Sequence, residues 1–159
     1  MNDELKLREA QGADIPVLAR HRRWMFEEMA RVQAVGYTVN EAVEMEAAYV
    51  NYLQQNFGHI LRAWVIEAAG QIIASGAVLF YDWPPRPGDL TGRAALVHSV
   101  YTDPDYRGRG LARRITEHIV GVCRALGYRT VTLHASIAGR PIYEALGFKA
   151  TSEMRLELR

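Results

Sequence analysis

Residues 103–114 read DPDYRGRGLARR and hold two glycines, four arginines and two aspartates in twelve positions. A strand-like run, ALVHSVYT (95–102), leads into them, and a helix-like run, LARRITEHIVGVCRALG (111–127), leads out. A helix begins with backbone N–H groups that lack internal partners, at the positive end of its dipole. Glycine lets the backbone aim several such groups at one point and lets a ligand come close. Gly108 and Gly110 stand where a phosphate cradle needs them. Arg107, Arg109, Arg113 and Arg114 bring charge suited to a polyphosphate. A surface turn ahead of a solvated basic helix would use the same residues.

The surroundings narrow the choice. A Walker A loop needs Gly-Lys-Ser/Thr, which is absent, and a dinucleotide fingerprint needs a third glycine where Arg113 stands. What fits is Arg-x-x-Gly-x-Ala, running from Arg107 to Ala112. After the helix, whose apolar stripe is Leu111, Ile115, Ile119, Val122 and Leu126, Gly127 marks a stop. TVTLHAS (130–136) reads as a strand and GRPIYEAL (139–146) as a short helix with Pro141 in its first turn. GFKATS (147–152) and EMRLELR (153–159) read as two closing strands.

Upstream, LKLREA (5–10) alternates like a strand, and Asp14 is placed to cap a helix carrying Ile15, Leu18, Met25, Met29 and Val32 on one stripe. Arg22 falls on that stripe. Its stem can pack while its head reaches solvent, or its head can meet an anion or a substrate. Thr38 and Glu41 form a capping box for a second helix with Ala42, Met45, Tyr49, Leu53 and Phe57 on one face. LRAWVIEA (61–68) and QIIASGAVLFY (71–81) read as a hairpin, followed by a proline- and glycine-rich loop, DWPPRPGDLTGR (82–93). The order β-α-α-β-β-β-α-β-α-β-β predicts an α/β domain, a mixed sheet with helices on its faces.

With its strand, the stretch SVYTDPDYRGRGLA (99–112) resembles the acetyl-CoA pyrophosphate loop of the GNAT superfamily of N-acetyltransferases. RPIYEALGF (140–148) resembles that family's second signature. The element order extends the resemblance over nearly the whole chain, read as one domain, residues 1–159. The resemblance implies a sheet of about seven strands, splayed between strands 4 and 5 and flanked by four helices. It implies that the acetyl-CoA arm pairs with the backbone of Val100 and Thr102. The pyrophosphate would meet the stretch Arg107, Gly108, Arg109, Gly110, Leu111, Ala112 and Arg113. Many members carry asparagine after the fifth strand; Ser136 stands there and is the expected contact to the arm. Tyr143 occupies the family's general-acid position.

His98 lies two residues before Val100, on the same face if the strand alternates, and is the candidate base. Its titration is expected within a unit or so of the reference near 6.5. His134 and a water chain are the other candidates. The resemblance assigns the amine pocket to the first two helices and the 82–93 loop, with Trp24, Phe26, Glu27, Glu28, Tyr37, Glu41, Tyr49, Tyr52 and Trp83 to line it.

The expected activity is transfer of an acetyl group from acetyl-CoA to a primary amine of a small molecule. A non-catalytic acyl-CoA sensor and acetylation of a protein N-terminus or lysine are the alternatives. A net charge of +1 argues against nucleic acid as partner. Cys123, the single cysteine, cannot form an internal disulfide, which suits the cytoplasm. No signal peptide or spanning stretch is expected, nor a metal, since no His, Cys and acidic residues share ligand-like spacing. A homodimer is admitted as an assembly.

Overall fold

The structure, a computed structural model, describes residues 4–158. Five strands lie in the order β1-β2-β3-β4-β5, with β1 Lys6–Glu9, β2 Leu61–Ala68, β3 Gln71–Asp82, β4 Arg93–Thr102 and β5 Val131–Leu133. Neighbours run antiparallel except β4 and β5, which are parallel. Four helices flank the sheet: α1 Ile15–Val32, α2 Val39–Asn56, α3 Leu111–Ala125 and α4 Arg140–Ala145.

Strands covered on both faces need apolar residues at consecutive positions. β2 meets this: Leu61, Ala63 and Val65 pack with Leu18, Tyr49 and Leu53 of α1 and α2. Trp64, Ile66 and Ala68 face the other way, into the cluster built by Leu111, Ile115 and Ile119 of α3. The stripes run out at their ends, where Val32 and Leu126 are exposed.

Local signals set several helix ends. The Thr38 hydroxyl accepts from the Glu41 amide at 3.2 Å, and the Glu41 carboxylate accepts from the Thr38 amide at 2.7 Å, as a capping box requires. Asp14 does not cap α1 with its side chain. Its carboxylate accepts from the Gln11 amide and from Arg8 instead, closing a 3₁₀ turn at Gly12–Asp14. Gly110 precedes α3 with φ +75, a left-handed conformation that glycine takes without Cβ strain.

Among the described residues the sheet has five strands, not seven. Residues 146–158 form no strand, and Met154, Leu156 and Leu158 are 94, 82 and 89% exposed. Alternating apolar residues make a strand only where a free edge pairs their backbone and a surface covers their side chains. β5, the last strand, is three residues long and offers little edge. The β4–β5 ladder is short. β4 pairs with β5 only at Ala95↔Val131, Leu96↔Thr132 and Val97↔Leu133, leaving His98 to Thr102 without a partner on that side.

Candidate active site

The free edge of β4 leads directly to the glycine turn. Asp103 takes the Asp105 amide, a 3₁₀ turn spans Pro104–Tyr106, and Gly108 and Gly110 both have positive φ, +74 and +75. A Cβ at either glycine would meet nothing within 4 Å, so the space above the turn is open. The α3 N-cap carries no capping side chain and its first turn no acidic residue. The first-turn amides of Leu111, Ala112 and Arg113 therefore have no intrahelical acceptor and form the positive end of the helix dipole. These features fit the phosphates of a CoA thioester.

The arginines contribute differently from the sequence expectation. The Arg107 guanidinium forms a bidentate pair with Glu28 of α1, with Nη2 2.7 Å from Oε2, and its Nε donates to the Thr102 carbonyl at 3.1 Å. Arg109 lies 5.0 Å over the Tyr106 ring, Arg113 pairs with Glu117, and Arg114 donates to the Leu5 carbonyl. Arg107, Arg113 and Arg114 thus engage donors within the chain, while Arg109 contacts only a ring face; the backbone amides and the Arg109 guanidinium are the groups left for an anion. Leu111 anchors the turn in the core, and the Ala112 carbonyl accepts from Thr116.

On β4 the alternation argument fails at one residue. Ser99 has φ +54, and the β3–β4 register shifts between Ser75 and Ala77, which marks a bulge. Two consecutive residues, His98 and Ser99, then address the α1–α2 side: His98 packs edge-on against Tyr49, and Ser99 accepts from Arg22. Val100 packs instead with the α3 cluster. His98 and Val100 are thus on opposite faces, a correction to the expected shared face. The His98 Nδ1 lies 2.9 Å from Ser99 Oγ. Burial, and secondarily the charge of Arg22, push the imidazole down to about 3, not the expected value near 6.5.

Tyr143 sits on α4, close to Ser136. A Cβ at Gly139 would fall 2.9 Å from its ring and 3.1 Å from Ser136 Oγ, so Gly139 lets the two approach. The Ser136 hydroxyl accepts from the Gly139 amide at 3.0 Å. Burial raises the Tyr143 phenol, which therefore keeps its proton. His134 is exposed and its Nε2 lies 3.1 Å from both carboxylate oxygens of Glu153.

The acceptor-side candidates divide. Phe26, Tyr37, Tyr49 and Tyr52 gather around Arg22, and Trp24 stacks with His21 and Tyr101. Trp83 does not join them. Its amide bonds to Gly92 at the opposite end of the ladder, where Arg86 of the same loop donates to Thr130. Glu27 and Glu28 are paired with Arg23 and Arg107. Sequence reasoning missed Ser99, because a bulge at a non-glycine residue leaves no compositional mark.

Among the described residues, no group of three or more His, Cys, Asp or Glu is arranged for a metal, and no helix is long and apolar enough to cross a membrane.

A mixed sheet opening between two parallel strands onto an uncapped glycine turn defines an acyl-CoA-binding transferase architecture. Residues 59–150 match the acetyltransferase (GNAT) domain family. A GCN5-related N-acetyltransferase from Ralstonia eutropha JMP134 superposes with a TM-score of 0.89 at 24% identity, covering 98% of this chain and 99% of that one. A predicted acetyltransferase from Clostridium acetobutylicum, solved with acetyl-CoA, superposes with a TM-score of 0.80 at 30% identity, covering 98% and 96%. The glucosamine 6-phosphate N-acetyltransferase of Trypanosoma brucei brucei is 29% identical over 115 residues, 72% of this chain and 76% of that protein. The chain belongs to the GNAT acetyltransferase family, and it is an acetyl-CoA-dependent N-acetyltransferase.

Proposed function

We propose that the protein acetylates a primary amine of a small molecule by direct attack while both substrates are bound. The observation that carries this reading is the unpaired β4 edge from His98 to Thr102, continuous with the uncapped amides at the start of α3. The backbone of Val100 and Thr102 would hold the pantetheine arm, with Ser136 beside it, and the amides from Gly108 to Arg113 the pyrophosphate. The bound thioester supplies an electrophilic carbonyl and a thiol leaving group of ordinary pKa about 8.5. Tyr143, protonated at neutral pH, donates to the departing sulfur. Cys123 is a poor covalent relay: it is buried in the α3 core and burial pushes its thiol up to about 11. The sugar-phosphate amine named for the trypanosomal relative supports a small acceptor.

An alkyl amine of pKa about 10.4 must lose a proton at a cost of about 5 kcal/mol at pH 7. An imidazole held near 3 does not retain that proton. His98, neutral throughout the working range, instead accepts a hydrogen bond from the amine and orients it, while the proton leaves through water.

Thiol release from acetyl-CoA across a panel of amines tests the activity. Tyr143→Phe is expected to lower kcat about 100-fold with acetyl-CoA affinity unchanged. Full kcat under chemistry-limited conditions would reduce Tyr143 to packing. Gly110→Glu places a carboxylate at the cradle and is expected to weaken acetyl-CoA binding more than about tenfold, read by calorimetry on the folded variant. Unchanged affinity would remove the cradle assignment.

A further inference from the structure

Arg22 is partly exposed on α1 and points toward β4, where its Nη1 donates to Ser99 Oγ at 2.7 Å. Its guanidinium lies 4.8 Å from the centre of the Phe26 ring and 4.7 Å from that of Tyr49. The Nε is buried and has no hydrogen-bond partner. Burial lowers its pKa, yet a guanidinium remains charged at neutral pH.

No carboxylate answers this charge among the described residues. Of the acidic groups of the same two helices, Glu27 and Glu46 pair with Arg23, Glu28 with Arg107, Glu41 serves the Thr38 capping box, and Glu44 is exposed to solvent. The electrostatic neighbours of Arg22 are the phenols of Tyr49 and Tyr52. Removing a guanidinium from water without a counter-charge is unfavourable, and ring faces offset that only in part. A second orphan lies close by. The Tyr37 hydroxyl is buried without a partner, and its ring stands edge-on to Phe26 with centroids 5.3 Å apart. Two unsatisfied donors, one of them cationic, thus flank one aromatic group. Through Ser99 that group adjoins His98, where the open edge of β4 begins.

We propose that Arg22 binds an anionic group, a carboxylate or a phosphate, carried by the amine substrate. Such a group has several acceptor oxygens on one centre, which a planar guanidinium and a phenol can share. The stacked rings exclude water around the pair and leave Arg22 little conformational freedom. The acceptor is then an amine with an acidic group, held by its anion while its nitrogen faces His98. This inference rests on the acetyl-transfer reading, since it assumes that the α1–α2 side receives the amine.

The test compares matched amines: an amino acid with its primary amide, and an aminoalkyl phosphate with the corresponding alcohol. Wild type is expected to prefer one anionic member over its neutral partner by about 30-fold in kcat/KM, mostly through KM. Whichever pair shows the preference identifies carboxylate or phosphate. Arg22→Gln should bring that preference within about threefold by impairing only the anionic substrate, and Arg22→Lys should keep part of it. Folding is checked by melting and by acetyl-CoA affinity, which neither variant should change. A second readout needs no turnover. Acetate or inorganic phosphate, added to CoA-bound protein against chloride at equal ionic strength, should raise the Tm of wild type and not of Arg22→Gln. Equal use of neutral and anionic amines, or a preference that survives in folded Arg22→Gln, overturns the proposal. So does a Tm that neither anion moves. Acetyl transfer to neutral amines alone would leave the enzymatic reading standing while this one fell, whereas loss of acetyl-CoA binding would strike the enzymatic reading itself.

Discussion

His98 shows how burial redirects a residue's chemistry. A histidine in water changes charge near 6.5 and is a natural base at neutral pH. Between Tyr49, Ser99 and Arg22 its charged form is disfavoured, and the ring is neutral at any pH well above 3. The rate should therefore rise with the ionisation of the amine itself and show no inflection near 6.5. His98→Gln is expected to lower kcat about tenfold, the scale of one lost hydrogen bond, without moving the pH profile along its axis. Paired profiles on one substrate check this. A wild-type inflection near 6.5 that the variant lacks would make His98 the titrating base. At this scale the sequence was legible in kind but not in direction. It singled out His98 by strand position, the two turn glycines by spacing, and Tyr143 through the family resemblance. It could not mark the extra residue at Ser99 that turns His98 away from Val100. Nor could it show that Glu28, 79 residues away in the chain, would take up Arg107.

Among the elements, the approach of α3 to the sheet fixes where the turn amides stand relative to the open β4 edge. Gly76 of β3 sets that approach. A Cβ there would fall 2.5 Å from Ile115 Cγ2, 3.4 Å from Ile119 Cδ1 and 3.5 Å from Val100 Cγ2. Ile115 is fully buried, and a β-branched side chain has few rotamers to escape into. Gly76→Ala must then lift α3 or displace the β4 bulge opposite. The expected cost is about 2 kcal/mol of stability, with acetyl-CoA binding weakened although no residue of the cradle has changed. Denaturant unfolding and calorimetry measure both. A variant as stable as wild type with full affinity would mean that the contact relaxes locally. Elements with strong local signals were legible: the Thr38 box and the α3 stripe both rest on neighbouring residues. The closing strands were not, because 147–158 carries a strand pattern whose fulfilment depends on an edge and a surface elsewhere.

Across the whole molecule, two buried histidines favour their neutral forms in the folded chain, and this sets its response to acid. His21 is 3% exposed, its Nδ1 lies 2.8 Å from Ser75 Oγ, and its ring packs on Tyr101 with centroids 4.6 Å apart. Burial lowers its pKa to about 4, opposed in part by Asp103 and aided by Arg20. His98 shifts in the same direction. In the unfolded chain both titrate near 6.5, so between that pH and the folded values the unfolded state binds more protons. Stability then rises with pH through this window and falls as the solution is acidified through it. The shift of His21 alone corresponds to a loss of about 2 kcal/mol by pH 5. The paired carboxylates Glu9, Asp14 and Glu28, lowered chiefly by their hydrogen bonds to Arg62, Arg8 and Arg107, add to the loss only further down, as pH drops below the ordinary carboxylate range. The acid limb should accordingly begin near pH 6.5. His21→Asn keeps a polar partner for Ser75 without a titrating ring. It should be less stable than wild type at pH 7.5, through lost packing on Tyr101, yet lose about 2 kcal/mol less between pH 7.5 and 5. Urea unfolding of both proteins at the two pH values measures the difference. Equal losses in the two would mean that proton uptake at His21 does not drive the acid sensitivity, and would leave His98 and the carboxylate pairs to account for it.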